Sequence, residues 1–143
     1  MSEKKEGTVL SSETAKMLMA EAEKARRRAY APYSGFAVGA ALLFDDGSVV
    51  SGCNVENASY SLSLCAERNA MSTAVAMGLT RPAAAAVAGP DGVFCPPCGA
   101  CRQFLAEFNG AMPVIVKDAH GVRVIALDEL LPSGFSLKDG EPK

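Results

Sequence analysis

Apolar residues recur at helical spacing from Ser11 or Ser12 onward, where Leu18, Met19, Ala22, Ala25 and Ala29 share one face and Glu21, Lys24, Arg26 and Arg27 fill the other. Either serine suits an N-cap, so the stretch reads as an amphipathic helix that ends before Pro32. The period then changes. Apolar runs at 37–44 and 49–55 flank Asp45-Asp46-Gly47-Ser48, the pattern of a β-hairpin about an Asp-Gly turn, and the second run leads into the polar segment NVENASYS. A second helix fits 66–77, with Ala70, Ala74 and Val75 or Met77 inward and Gly78 as C-cap. Residues 83–88 are short, apolar and closed by Gly89-Pro90, which reads as a buried strand although alanine favours helix. A third helix is expected to begin near Pro97 or Cys98 and to stop at Asn109-Gly110. Strands follow at 113–116 and 122–125 around Ala119-His120-Gly121, and LDELLPSGFS supplies a short helical turn and a tail.

This order of elements predicts an α/β fold in which helices cover the faces of a mixed sheet, in a single domain spanning 1–143. About ten N-terminal residues and those after Lys138 are expected to be loose. With 143 residues and 49% hydrophobic content the chain can bury one core. Fourteen Lys+Arg against sixteen Asp+Glu give a net charge of −2, which removes the basic stripe that nucleic-acid binding needs. No run reaches the roughly 18 apolar residues of a membrane span, so the expectation is a soluble, cytoplasmic chain with neither a nucleic-acid nor a membrane partner.

Five cysteines without a secretion signal argue for reduced thiols, used as metal ligands or reactive groups. Three of them stand in CPPCGACRQ, residues 95–103. A Cys-x-x-Cys at a helix start puts both sulfurs beside unpaired backbone N–H groups, which favour thiolate. Such a pair serves a thiol redox couple, a four-ligand structural zinc site, or a catalytic zinc site with one further ligand and an open position. The structural site lacks a second pair, because Cys53, Cys65, Cys95 and His120 form no second CxxC or HxxxH. The redox reading is weakened by two overlapping pairs with no thioredoxin-like order of elements around them. The catalytic reading gains from LCAERNA, 64–70, where Cys65 opens the second helix with Glu67 two residues on. Three thiolates on Zn²⁺ leave a fourth position for water, whose pKa falls toward about 7, and a nearby carboxylate that is not a ligand can move its proton.

The pairing of Cys65-Ala66-Glu67 with Pro97-Cys98-Gly99-Ala100-Cys101 resembles the zinc nucleoside deaminases, a pattern that general accounts of these enzymes already describe. The blocks YSGFAVGAAL (33–42), CNVENASY (53–60), CAER (65–68), PCGACRQ (97–103) and LLPSGF (130–135) are similar, in the same order, to the small homotetrameric cytidine deaminases. That resemblance implies a three-layer α-β-α fold on a mixed sheet of about five strands, one Zn²⁺ per chain, and hydrolysis of cytidine and 2′-deoxycytidine to the uridine forms in pyrimidine salvage. It makes Cys65, Cys98 and Cys101 the zinc ligands, Glu67 the general acid/base, and Arg68 the group that draws charge from the sulfurs. It assigns Asn54 and Glu56 to the ribose hydroxyl, Phe36 to the base, Ala66 and Tyr60 to further substrate contacts, and Phe135 to a neighbouring subunit's pocket in a homotetramer with shared sites.

Each residue also has a plainer reading. Glu67 could be a solvated first-turn glutamate, Arg68 a surface arginine, NVEN ordinary turn chemistry, and either phenylalanine core. Cys53 and Cys95 fit no ligand position and are taken as bystanders, Arg102 as surface or interface, and His120 as exposed. Pro96 stands where the resemblance leads one to expect serine. The competing functions are a deaminase of another cytosine nucleoside such as blasticidin S, an RNA-editing deaminase, a zinc-stabilised interaction module and a thiol redox protein.

Overall fold

Two glycines set how closely the helices approach the sheet. In a computed structural model that describes residues 10–138, the first helix, α1 (Ser12–Arg26), crosses strand β1 (Gly39–Phe44) where Gly39 lies. An ideal Cβ on Gly39 would sit 2.0 Å from Ala22 O and 2.4 Å from Arg26 N, inside the backbone of α1. On β2 (Val49–Cys53) a Cβ at Gly52 would come 2.7 Å from Ala70 N and 2.9 Å from Ala66 O, in the backbone of α2 (Ala66–Ala76). Neither helix can be this close if the strand carries a side chain there. Gly39→Ala is therefore expected to cost about 3 kcal/mol or more, since backbone on both sides cannot yield. Urea denaturation checks this, and a loss under about 1 kcal/mol would contradict such tight packing.

The sheet runs β2-β1-β3-β4-β5, with β3 at Pro82–Ala88, β4 at Pro113–Asp118 and β5 at Gly121–Ala126. Only β3 and β4 are parallel, pairing Ala85 with Val114 and Ala86 with Ile115; the other neighbours are antiparallel. The parallel pair requires a crossover, and α3 (Gly99–Ala106) lies within it. A short α4 (Leu127–Leu130) follows β5.

Strand alternation divides the core into two layers. Ala41, Ala84, Ala86, Ala88 and Ile115 face α1 through Ala15, Leu18, Met19 and Ala22. Ala40, Leu42, Val87, Val114 and Val116 face the other way, onto Met71, Ala74, Leu105 and Leu127 of the remaining helices. The result is a three-layer α-β-α arrangement on a five-stranded mixed sheet, as the sequence leads one to expect. The alanine run of β3 is a strand because both faces are covered at close range, and small side chains fit there better than their helix propensity suggests.

Most boundaries agree with the sequence pattern. Ser11 caps α1 by accepting from Thr14 N at 3.0 Å, Gly47 takes φ +90° in the hairpin turn, and Gly78 takes φ +88° after α2. The third helix ends earlier than the expected Asn109-Gly110, because the chain tightens into a turn in which both Phe108 N and Asn109 N donate to Leu105 O. A single 3₁₀ turn at Tyr60–Leu62 had no periodic signal. The expectation of loose ends falls on residues 1–9 and 139–143, outside the described residues.

Candidate metal centre and active site

Cys65 and Cys98 occupy the same position on two helices. Each is the N-cap residue, with extended backbone and no hydrogen bond from its side chain to the first turn, so each sulfur stands free at the positive end of a helix. Cys101 lies one turn into α3 and is fully buried. The approach of α2 to β2 through Gly52, and the packing of α2 against α3, bring these ends together. The three sulfurs lie within 4.8 Å of one another, and Cys65 Sγ is 3.7 Å from Cys98 Sγ. Two sulfurs each about 2.3 Å from a tetrahedral zinc are about 3.8 Å apart, so this spacing fits a zinc site. All five cysteines are free thiols.

The surroundings fit a negatively charged sulfur set. Arg68 Nη2 donates to Cys65 Sγ at 3.6 Å, and Arg68 Nε is buried with no hydrogen-bond partner among the described residues. The Cys101 thiol, then Arg68, draw the Cys65 pKa down to about 5, whereas donating to Cys65, and burial, push the Cys101 thiol up. The Cys65 proton is thus easily lost while Cys101 keeps its own, and a cation bound among the sulfurs would displace it. Glu67 is 3% exposed, and its pKa is raised first by desolvation and then by the charge of Cys65.

Asn54 and Glu56 belong to an extended segment beyond β2 that is stitched on both sides. Tyr30 N donates to Asn54 O and Glu56 N to Tyr30 O, both at 2.9 Å, while Val55 and Leu64 exchange two bonds of 2.9 Å. Their side chains are equally fixed. Asn54 Oδ1 accepts from Val38 N and its Nδ2 donates to Phe36 O, each at 2.9 Å. Glu56 Oε1 accepts from Tyr33 N at 2.9 Å and Ser34 N at 3.1 Å, and its Oε2 accepts the Ser34 hydroxyl. The Ser34 hydroxyl, followed by the cost of burial and the backbone N–H groups, leaves the Glu56 pKa below its usual value.

A cavity of about 270 Å³ joins these groups, with Phe36, Asn54, Glu56, Ala66 and Glu67 in its wall beside Cys65 and Cys98. A second, of about 360 Å³, shares Asn54, Glu56 and Cys65 and extends to Tyr33 and Tyr60. Eight of the eleven sequence-derived site residues line one or other cavity. Arg68, buried Cys101 and Phe135, which is 66% exposed, line neither cavity.

Three features escaped the sequence reading. Ser34, two residues before Phe36 in YSGF, holds the Glu56 carboxylate and also accepts from Phe36 N at 2.9 Å. Cys95 and Pro96, read as a bystander and as a substitution, both line the cavity that contains Glu67. Arg102 is part-buried and is a clamp rather than a surface group, with Nε donating to Pro97 O and Nη1 to Leu130 O, both at 2.8 Å. His120 is exposed in the β4–β5 turn as expected.

Residues 12–117 match the family model described as the cytidine and deoxycytidylate deaminase zinc-binding region. The cytidine deaminase of Sporosarcina psychrophila is 50% identical over 125 residues, covering 85% of this chain and 91% of that protein. That of Mycobacterium tuberculosis is 48% identical over 123 residues, covering 86% and 90%. The crystal structure of cytidine deaminase from Burkholderia pseudomallei superimposes with a TM-score of 0.80 at 45% identity, over 88% of this chain and all of that one.

Proposed function

Since the chain belongs to the cytidine and deoxycytidylate deaminase family, we propose that it hydrolyses cytidine and 2′-deoxycytidine, with Glu67 moving the protons and Cys65, Cys98 and Cys101 holding the metal. The family is zinc-binding, and these sulfurs form the group able to hold one such ion per chain. The observation that carries the assignment of roles is the buried carboxylate of Glu67 in the same cavity wall as two of those sulfurs.

Zinc, when bound, supplies Lewis acidity that brings the pKa of water toward about 7. Glu67 accepts the proton that water loses as its oxygen adds to C4 of the pyrimidine, and donates it to N3. It then carries the proton of the hydroxyl added at C4 to the exocyclic nitrogen, the C4–N bond breaks, ammonia leaves and the C4 carbonyl forms. Burial suits Glu67 to this, because a desolvated carboxylate is a stronger base than one in water. Arg68 offsets the excess negative charge of three thiolates around a divalent ion through its bond to Cys65 Sγ.

Hydrogen-bond bookkeeping supports the sugar assignment. With both positions on Glu56 Oε1 and one on Oε2 filled, one acceptor position remains; Asn54 Nδ2 has one N–H left after bonding Phe36 O. Together they complement a single hydroxyl that donates to Glu56 and accepts from Asn54. Taken as the 3′-hydroxyl, which ribose and 2′-deoxyribose both carry, it leaves the two nucleosides expected to bind alike. Glu56→Ala is expected to raise KM for cytidine by about 10- to 100-fold, the worth of a hydrogen bond to a charged group, with kcat less affected. An unchanged KM would remove Glu56 from the sugar site.

The proposal extends to residues 1–143 as a single domain and to a cytoplasmic homotetramer acting in pyrimidine salvage. Exposed Tyr33 and Tyr60 at the cavity mouth, and exposed Phe135, are surfaces a second copy would cover. Among the described residues no helix is long and apolar enough to cross a membrane. Family membership favours this reading over a redox protein or an interaction module. Absorbance assays of cytidine, free cytosine, dCMP and blasticidin S side by side test it: turnover of cytidine well above the other three is expected, and preferential turnover of blasticidin S would replace the substrate assignment.

A further inference from the structure

The side chain of Gln103 is committed to one residue far along the chain. Its Nε2 donates to Phe135 O at 2.9 Å and its Oε1 accepts from Phe135 N at 3.0 Å, so the amide pairs with that backbone as a neighbouring strand would. The segment around it is drawn in as well. Gly134 is buried, and an ideal Cβ there would meet Leu131 Cδ2 at 2.7 Å; Lys138 Nζ donates to Glu107 O at 2.9 Å. The ring of Phe135 nevertheless faces water, with the residue 66% exposed. A backbone fixed at both polar groups while its large apolar side chain gains no burial is costly in an isolated chain. Such an arrangement suits an aromatic held ready for a pocket elsewhere.

We propose that Gln103 is a positioning residue that fixes the Phe135 backbone so that the ring is preorganised to enter the nucleoside site of a second copy of this chain. The inference rests on the shared-site reading above and adds the residue that sets the aromatic's place. Gln103 lies two residues after Cys101 on α3, so the helix whose first turn carries two of the three sulfurs also registers the aromatic that the chain lends outward. Arg102, beside it, ties Pro97 and Leu130 together across the same helix and keeps the two ends in register.

The test compares Gln103→Leu, Phe135→Ala and the double variant as intact oligomers loaded with zinc, measuring KM and kcat for cytidine, zinc per chain and particle mass. Loss of two neutral hydrogen bonds predicts a rise in KM of about 5- to 10-fold for Gln103→Leu, with zinc content unchanged and kcat within about 2-fold. The double variant is expected to be no worse than Phe135→Ala alone, because the amide acts only through that residue. Gln103→Glu, which can accept from Phe135 N but not donate to Phe135 O, should fall between wild type and Gln103→Leu, and it serves where the leucine variant fails to fold. If Phe135→Ala leaves KM and mass unchanged, the shared-site reading fails. If Phe135→Ala raises KM but Gln103→Leu and Gln103→Glu do not, or if the effects multiply or zinc is lost, the positioning role is overturned while the shared site stands.

Discussion

Replacing Glu67 by Gln is expected to lower kcat for cytidine by about 10³-fold or more, with zinc content and fold retained. General acid–base catalysis contributes roughly 10²- to 10⁴-fold for one transfer, and Glu67 is assigned more than one. The amide fills the same nearly sealed space, as Glu67 is 3% exposed. It cannot take up a proton from water at neutral pH. The measurement is single-turnover and steady-state kinetics beside metal analysis. A rate within about 10-fold of wild type would remove Glu67 from the proton path, and a variant stripped of zinc would make it part of the metal's support instead.

Cys98→Ala is expected to abolish both zinc retention and turnover while the chain still folds. Cys98 is exposed and caps α3 without a hydrogen bond from its side chain, so its removal leaves no core cavity and breaks no cap. What disappears is one of three sulfurs. The remaining pair, Cys65 and Cys101, offers a divalent ion half of a tetrahedral shell, and activity should drop on the order of 10³-fold or below detection. Circular dichroism with metal analysis after dialysis checks the two halves separately. Full activity in a zinc-free variant would refute the metal's role in the chemistry.

Much of this site was legible because its chemistry is written in local spacing. Cys98 and Cys101 are three apart at a helix start, and Cys65 precedes Glu67 by two at another, so each motif alone marks a helix N-terminus with a candidate ligand on it. Their convergence was carried by the ordered blocks rather than by periodicity. What could not be read depends on contacts between distant segments. Gln103 and Arg102 are indistinguishable from surface residues of a short amphipathic helix until the segment from Leu130 to Phe135 folds across them. Ser34 looks like a turn residue until Glu56, 22 positions away, brings its carboxylate to it. The strand character of Pro82–Ala88 was read from its length and closing Gly-Pro against its composition, whereas the reason for that composition, helix backbones pressed close on the sheet, appears only in three dimensions.

X-ray absorption at the zinc edge, on protein purified without added metal, bears most directly on the claim that three thiolates hold one ion beside Glu67. One zinc per chain, with about three sulfur neighbours at about 2.3 Å and a lighter oxygen or nitrogen neighbour, is the expected spectrum. A zinc-free protein with Cys65, Cys98 or Cys101 in a disulfide, or a shell of four sulfurs with no light-atom position, would contradict it.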